Sequence, residues 1–204
     1  MTNGSFDVAL KEMRLAYEAS QALSSFRQFP DDDELHFENI DPHLINAAKL
    51  ALEDNTLDAT QLAPLRDALI NLAKDAKWRE TYKETKIGDT FLDNFGCYEL
   101  LGLEGHFHCK TTRGFVVYSA PNLYYPWHHH PAEEMYFIIA GEAEFAVEGA
   151  KPRIYKPGDT IFHATNQPHN MQTNKSGVLA WVQWRGDLTT APVLTDRLNG
   201  WSAI

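Results

Sequence analysis

The stretch HHHPAEEMYFIIAG, residues 128–141, decides how this chain is read. It places His128, His130, Glu134 and Gly141 in the pattern H-x-H-x3-E-x6-G. A second stretch, PGDTIFHATNQPHN at 157–170, reads P-G-D-x9-H and ends that pattern on His169. Imidazole nitrogens with one carboxylate are a donor set suited to a first-row divalent cation. Alternate residues of a strand share a face, so the spacing predicts His128 and His130 on one side and His129 on the other. Pro131 falls between His130 and Glu134, where a turn or bulge can bring the carboxylate back to the pair. His169 is the natural fourth ligand; His163 does not occupy the ligand position of the pattern. For His128 and His130 it stays open whether both bind the metal or one stands behind the other.

Working outward, the composition is that of an ordinary soluble chain: 204 residues, 44% apolar and 23% charged. A net charge of −10 argues against a surface that grips a phosphate backbone, so no nucleic-acid partner is expected. No apolar run reaches the about 18 residues of a membrane span. The opening MTNGSFDVALKEM lacks a basic segment followed by an apolar core. A cytoplasmic location follows as the expectation, with Cys97 and Cys109 as free thiols.

The region 1–90 reads as helical, with about three helices. Val8, Met13, Ala16 and Leu23 recur at roughly helical spacing. Asp41-Pro42 reads as a helix start ahead of HLINAAKLAL, and Ala63-Pro64 as another ahead of LRDALINLAKDA. The acidic runs Asp31 to Glu34 and Glu53 to Asp58 read as solvated loops. From about residue 91 the texture changes. Strands are predicted over 115–120, 134–140, 143–149 and 178–184. Gly141-Glu142 reads as a hairpin turn between two of them, and Pro157-Gly158-Asp159 as a further turn. The organisation expected is a helical region 1–90 packed on a β domain 91–204.

A lone H-x-H proves little. His106 and His108 alternate too, but no carboxylate follows at the needed distance, so that pair reads as structural. Among non-ligands, Tyr136 shares a strand face with Glu134, and Tyr125 precedes Pro126 and the histidine run. A cation beside a phenol favours its anion, which makes tyrosinate a credible base. Each tyrosine taken singly also reads as a packing residue. Tyr125 is out of phase with His128 and His130, so it reaches the site only if Pro126 or a bulge re-aims the strand. Trp181 and Trp184 fall on opposite faces of a regular strand, so at most one lines the pocket, and each also reads as a core-packing residue.

The two boxes, in order and with their spacing intact, resemble those of the cupin superfamily over roughly residues 105–190. The resemblance implies a mainly β fold: a double-stranded β-barrel, or jelly roll, behind a helical N-terminal region. Tyr125-Pro126-Trp127-His128-His129-His130 followed by Glu134-x-Tyr136 is similar to the cupin-type dimethylsulfoniopropionate (DMSP) lyases, as is the helices-then-barrel layout. That likeness implies a metal-dependent lyase cleaving DMSP to dimethyl sulfide and acrylate. It implies His130, Glu134 and His169 as ligands, and His128 as a ligand or close neighbour. It implies Tyr136 beside the metal, Tyr125 as candidate base and Trp184 as the aromatic contact for the sulfonium. The metal would be one divalent transition ion: zinc, iron or manganese. A homodimer is expected on general grounds. Two other classes stay open, an iron-dependent cupin dioxygenase and a non-catalytic cupin that binds a small molecule.

Overall fold

The computed structural model describes residues 4–195 apart from Glu84. The end of the expected β domain, 196–204, and the first three residues of the N-terminal segment lie outside the described residues. Five α-helices are described: α1 (Gly4–Ala19), α2 (Gln21–Phe26), α3 (Asn46–Glu53), α4 (Ala63–Ala73) and α5 (Asp89–Asn94). The strands are β1 (His36–Phe37), β2 (Trp78–Arg79), β3 (Phe95–Gly102), β4 (Phe107–His108), β5 (Arg113–Ser119), β6 (Tyr124–His129) and β7 (Glu133–Gly141). They continue with β8 (Ala143–Val147), β9 (Arg153–Tyr155), β10 (Thr160–His163), β11 (His169–Gln172), β12 (Val178–Arg185) and β13 (Val193–Leu194).

Two sheets carry the fold. One runs β1-β4-β3-β5-β12-β7-β10, with β2 also on β3; the other runs β13-β6-β11-β8-β9. From β5 to β12 the chain changes sheet at every step except the β8–β9 hairpin. The resulting orders, 5-12-7-10 and 6-11-8-9, are those of a jelly roll, the cupin double-stranded barrel.

The larger sheet is buried on both faces, which is why β5, β7 and β12 read as nearly unbroken apolar runs. Val116, Tyr118, Phe137, Ile139, Leu179 and Trp181 join a core with Met13, Leu23, Leu69 and Leu72 of the helices. Their strand neighbours Phe115, Val117, Tyr136, Ile138, Ala180, Val182 and Trp184 face into the sandwich. Period-two alternation therefore sorts each strand between two apolar layers rather than between core and water. Trp181 and Trp184 separate as their parity predicts.

Three local expectations are corrected. Gly141-Glu142 is not a hairpin, since β7 and β8 lie in different sheets. Gly141 has φ +71°, and its positive angle steers the chain from one sheet to the other; a Cβ there would strike the carbonyl oxygen of Gly177. The helix after Asp41-Pro42 starts later, at Asn46 with Ile45 as its N-cap. Pairing with the segment after α4 holds the residues before it: the His43 N–H donates to Ala76 O, and the Trp78 N–H to His43 O. Two short helices escaped the pattern. α2 is capped by the Ser20 hydroxyl, and α5 straddles the expected boundary near residue 90. Six residues are too few to show a helical period. Pro64 does open α4.

A buried polar cluster joins α1 to β12. Tyr17 Oη donates to Gln183 Oε1 at 2.5 Å and accepts from Trp181 Nε1 at 2.9 Å. Burial pushes the Tyr17 phenol far up, so it stays neutral and can play both parts. Tyr17→Phe leaves an amide oxygen and an indole N–H without their partner. It is expected to destabilise the protein by about 1–3 kcal/mol, seen as a lower denaturant midpoint at unchanged slope.

Candidate metal centre

Register builds the centre. β7 lies between β10 and β12, and Glu134 is directly opposite His163 on one side and Trp184 on the other. Directly opposed residues share a sheet face, so all three point into the sandwich. On the facing sheet His169 of β11 is opposite His128 of β6. His130 sits in the crossing that carries the chain from β6 to β7, where Pro131 makes the turn. His128, His130, Glu134, His163 and His169 are all buried.

The carboxylate of Glu134 is held on both oxygens. Trp184 Nε1 donates to Oε1 at 2.7 Å and His163 Nδ1 to Oε2 at 2.7 Å. His130 Nε2 lies 3.2 Å from Oε1, and His169 Nε2 lies 3.3 Å from Oε2. Burial alone would push this carboxyl up. The charge of His130, with the hydrogen bond from His163 and the nearby His169 imidazole, outweighs it and holds Glu134 ionised, well below the usual carboxylate range. Burial works against protonation of His130 as well, but Glu134 outweighs it and raises that imidazole. His128 and His163 go the other way, by burial first and the neighbouring His169 second. His128 falls well below its usual value and His163 to about 4.

The second ring nitrogens set the tautomers. Nδ1 of His128, His130 and His169 lies 2.8, 3.0 and 2.9 Å from the carbonyl oxygens of Pro126, Ala132 and Gln167. A carbonyl only accepts, so each Nδ1 carries a proton and, in the neutral ring, each Nε2 is left with a lone pair. Nε2 of His130, His163 and His169 is buried with no hydrogen-bond partner among the described residues. Buried polar atoms are rarely left so. One ligand atom each from His130, Glu134 and His169 lie within 4.8 Å of one another, close enough to hold an ion. Carbonyl-anchored imidazoles with their other nitrogen turned to a common point are what a metal site uses. The donor set therefore fits a divalent transition ion.

The aromatic residues surround these groups. Tyr125 is buried, and its ring stacks on His128 with centroids 3.9 Å apart. Its route in is a bulge: two steps along β11, His169 to Met171, match three along β6, His128 to Tyr125. The extra residue falls at Pro126-Trp127 and corrects the parity of Tyr125. Tyr136 is buried with its ring 5.6 Å from that of His163, and its hydroxyl has no hydrogen-bond partner among the described residues. Burial pushes both phenols well up. The Trp184 ring lies 4.5 Å from that of His130. His129 points away and bonds Thr195. His106 is structural: its Nε2 accepts from the Lys77 N–H.

Two residues near the site were not singled out by sequence. His163 has only a parity signal, since Ile161 and His163 are buried while Phe162 between them is exposed. Tyr82, whose hydroxyl accepts from Tyr125 at 3.0 Å, has none.

A family model described as dimethylsulfoniopropionate lyase matches residues 35–180. The DMSP lyase DddQ of Ruegeria pomeroyi is 43% identical over 194 residues, 95% of this chain and 96% of that one. The chain belongs to the DMSP lyase family. The crystal structure of DddQ from Ruegeria pomeroyi DSS-3 superposes with a TM-score of 0.90 over 95% of this chain and 98% of that chain. A chain from the crystal structures of the DMSP lyases RdDddP and RnDddQII, 34% identical, also gives 0.90 over 95% and 98%. Both similarities take in the N-terminal helices as well as the barrel.

His163→Leu and Trp184→Phe each remove one donor to Glu134. Each is expected to weaken divalent-metal retention about 10- to 100-fold, measured by competition with a chromogenic chelator. The proton that Glu134 favours on His130 competes with a cation, so retention in the unaltered protein is expected to fall as pH is lowered.

Proposed function

We propose that this chain is a metal-dependent carbon–sulfur lyase that cleaves DMSP to dimethyl sulfide and acrylate by β-elimination. The observation that carries the reading is the buried Glu134, ionised and held by two donors, with unpaired imidazole nitrogens of His130 and His169 beside it. Family membership, with 43% identity to DddQ along nearly the whole chain, agrees with it.

His130, Glu134 and His169 would hold the ion, with His128 as ligand or close neighbour. Nitrogen and carboxylate donors suit zinc, iron or manganese. When bound, the cation supplies a Lewis acid that withdraws electrons through the substrate carboxylate and acidifies the adjacent carbon. Tyr125, as phenolate, takes the α-proton. The C–H electron pair becomes the C=C bond of acrylate as the β-carbon–sulfur bond breaks, and the sulfur keeps the bonding pair as neutral dimethyl sulfide. Tyr136, in step with Glu134 and with its hydroxyl unclaimed, is the second catalytic tyrosine, placed beside the metal. Trp184 offers its face to the sulfonium, a contact worth about 0.5–2 kcal/mol, besides its bond to Glu134.

The net charge of −10 supports a small-molecule partner rather than a polyanion. Free, buried Cys97 and Cys109 support a cytoplasmic setting, and no described helix is long and apolar enough to cross a membrane. The shared core supports taking 1–90 as a buttress of the barrel domain 91–204.

Purified, metal-loaded protein is expected to release dimethyl sulfide from DMSP into the headspace, and chelator-treated protein is not; equal sulfide from both would sink the metal-dependent reading. Tyr125→Phe is expected to abolish turnover with metal content unchanged by elemental analysis, and undiminished turnover would remove Tyr125 as the base.

A further inference from the structure

The segment between β2 and α5 is a surface loop. Among its described residues from 80 to 90, only Tyr82 is buried. Its backbone stands in the left-handed region at φ +73°, a conformation that is strained for a non-glycine residue. The loop closes around that residue: the N–H and the hydroxyl of Thr85 both donate to the Tyr82 carbonyl oxygen, at 2.9 and 2.8 Å. The side chain turned inward meets the proposed base. The Tyr125 hydroxyl donates to Tyr82 Oη at 3.0 Å, and the two rings meet edge to face at 5.9 Å. The Tyr82 ring also lies edge-on to His128 and to Phe91, each at 6.4 Å.

The Tyr125 ring also packs against His128, Phe91 and Phe95. Those contacts fix the plane of the phenol and leave its hydroxyl rotor free. Among the described residues, Tyr82 is the hydrogen-bond partner of that hydroxyl. A surface loop that spends a strained backbone conformation to bury one phenol against another is over-determined for simple packing, which a phenylalanine would supply as well.

We propose that Tyr82 is a positioning residue for the elimination reaction, engaging one side of the Tyr125 oxygen by a hydrogen bond so that a lone pair is left facing the substrate α-carbon. This rests on the lyase reading above. The loop that carries it then belongs to the working site although it contributes no metal ligand.

The test is Tyr82→Phe, which keeps ring, burial and backbone and deletes one oxygen. Its kcat for sulfide release from DMSP is expected to fall about 10²-fold with KM within about two-fold and metal content unchanged. A Tyr82→Phe enzyme with the kcat of the unaltered protein would overturn the proposal and leave Tyr82 as packing. A second measurement does not depend on activity. Unfolding midpoints of Tyr82→Phe, Tyr125→Phe and the double variant are expected to be non-additive, the double losing less than the sum of the singles. Strict additivity would show that the two hydroxyls do not interact and would also overturn the proposal. A metal-loaded unaltered protein that releases no sulfide would remove the reaction itself, an outcome distinct from an active protein indifferent to the loss of the Tyr82 hydroxyl.

Discussion

A single ionised carboxylate buried inside a β-sandwich is the constraint on which this structure turns. Removing a carboxylate from water costs several kcal/mol unless it is paired and hydrogen-bonded. Glu134 is supplied with donors from both sides: Trp184 on one oxygen and His163 on the other. Imidazoles of His130 and His169 complete its surroundings. Only a strand with neighbours on both edges can offer that, and β7 has β10 and β12. The carboxylate is thus oriented by the protein's own donors, and among the described residues the imidazoles around it leave three nitrogens without a hydrogen-bond partner. A cation placed there would meet those nitrogens and the negative charge together.

The helices serve the same end from outside. A sheet that buries Glu134, Tyr136 and Trp184 on its inner face presents Phe137, Ile139 and Trp181 on its outer face, and these need cover. α1 and α4 provide it, and the Tyr17–Trp181–Gln183 hydrogen bonds pin α1 to β12 next to Trp184. The loop from 54 to 58 adds further ties, with Thr56 bonded to Ser176 and Gly177 and Asp58 to Gly141. The N-terminal region therefore steadies the two strands that flank or carry the carboxylate.

The phenols form a layer around the candidate metal ligands. The β6 bulge at Pro126-Trp127 brings Tyr125 onto the His128 ring, and the loop after β2 brings Tyr82 onto the Tyr125 hydroxyl. Both phenols are kept neutral by burial. This separates the groups proposed to hold the ion, which belong to strands and their crossing, from the proposed base, which depends on two irregularities of the backbone.

Much of this was legible in residue order, for a local reason. The donor types, the alternation of His128, His129 and His130, and the return at Pro131 span only a few residues. So do the opposite facings of Trp181 and Trp184. Strand geometry settles such features without knowledge of the rest of the chain. The out-of-phase position of Tyr125 even stated the condition it needed, and the bulge met it. Other features were not local. His163 and Trp184 lie 29 and 50 residues from the carboxylate they hold, and Tyr82 lies 43 residues from Tyr125. Gly141 reads as a hairpin turn until the sheets are known. By itself the sequence determined which chemical groups are present and which neighbours share a face. Only the tertiary structure decided which distant groups meet, because strand register and sheet assignment are set by how two apolar layers pack around β5, β7 and β12, a property no short stretch contains.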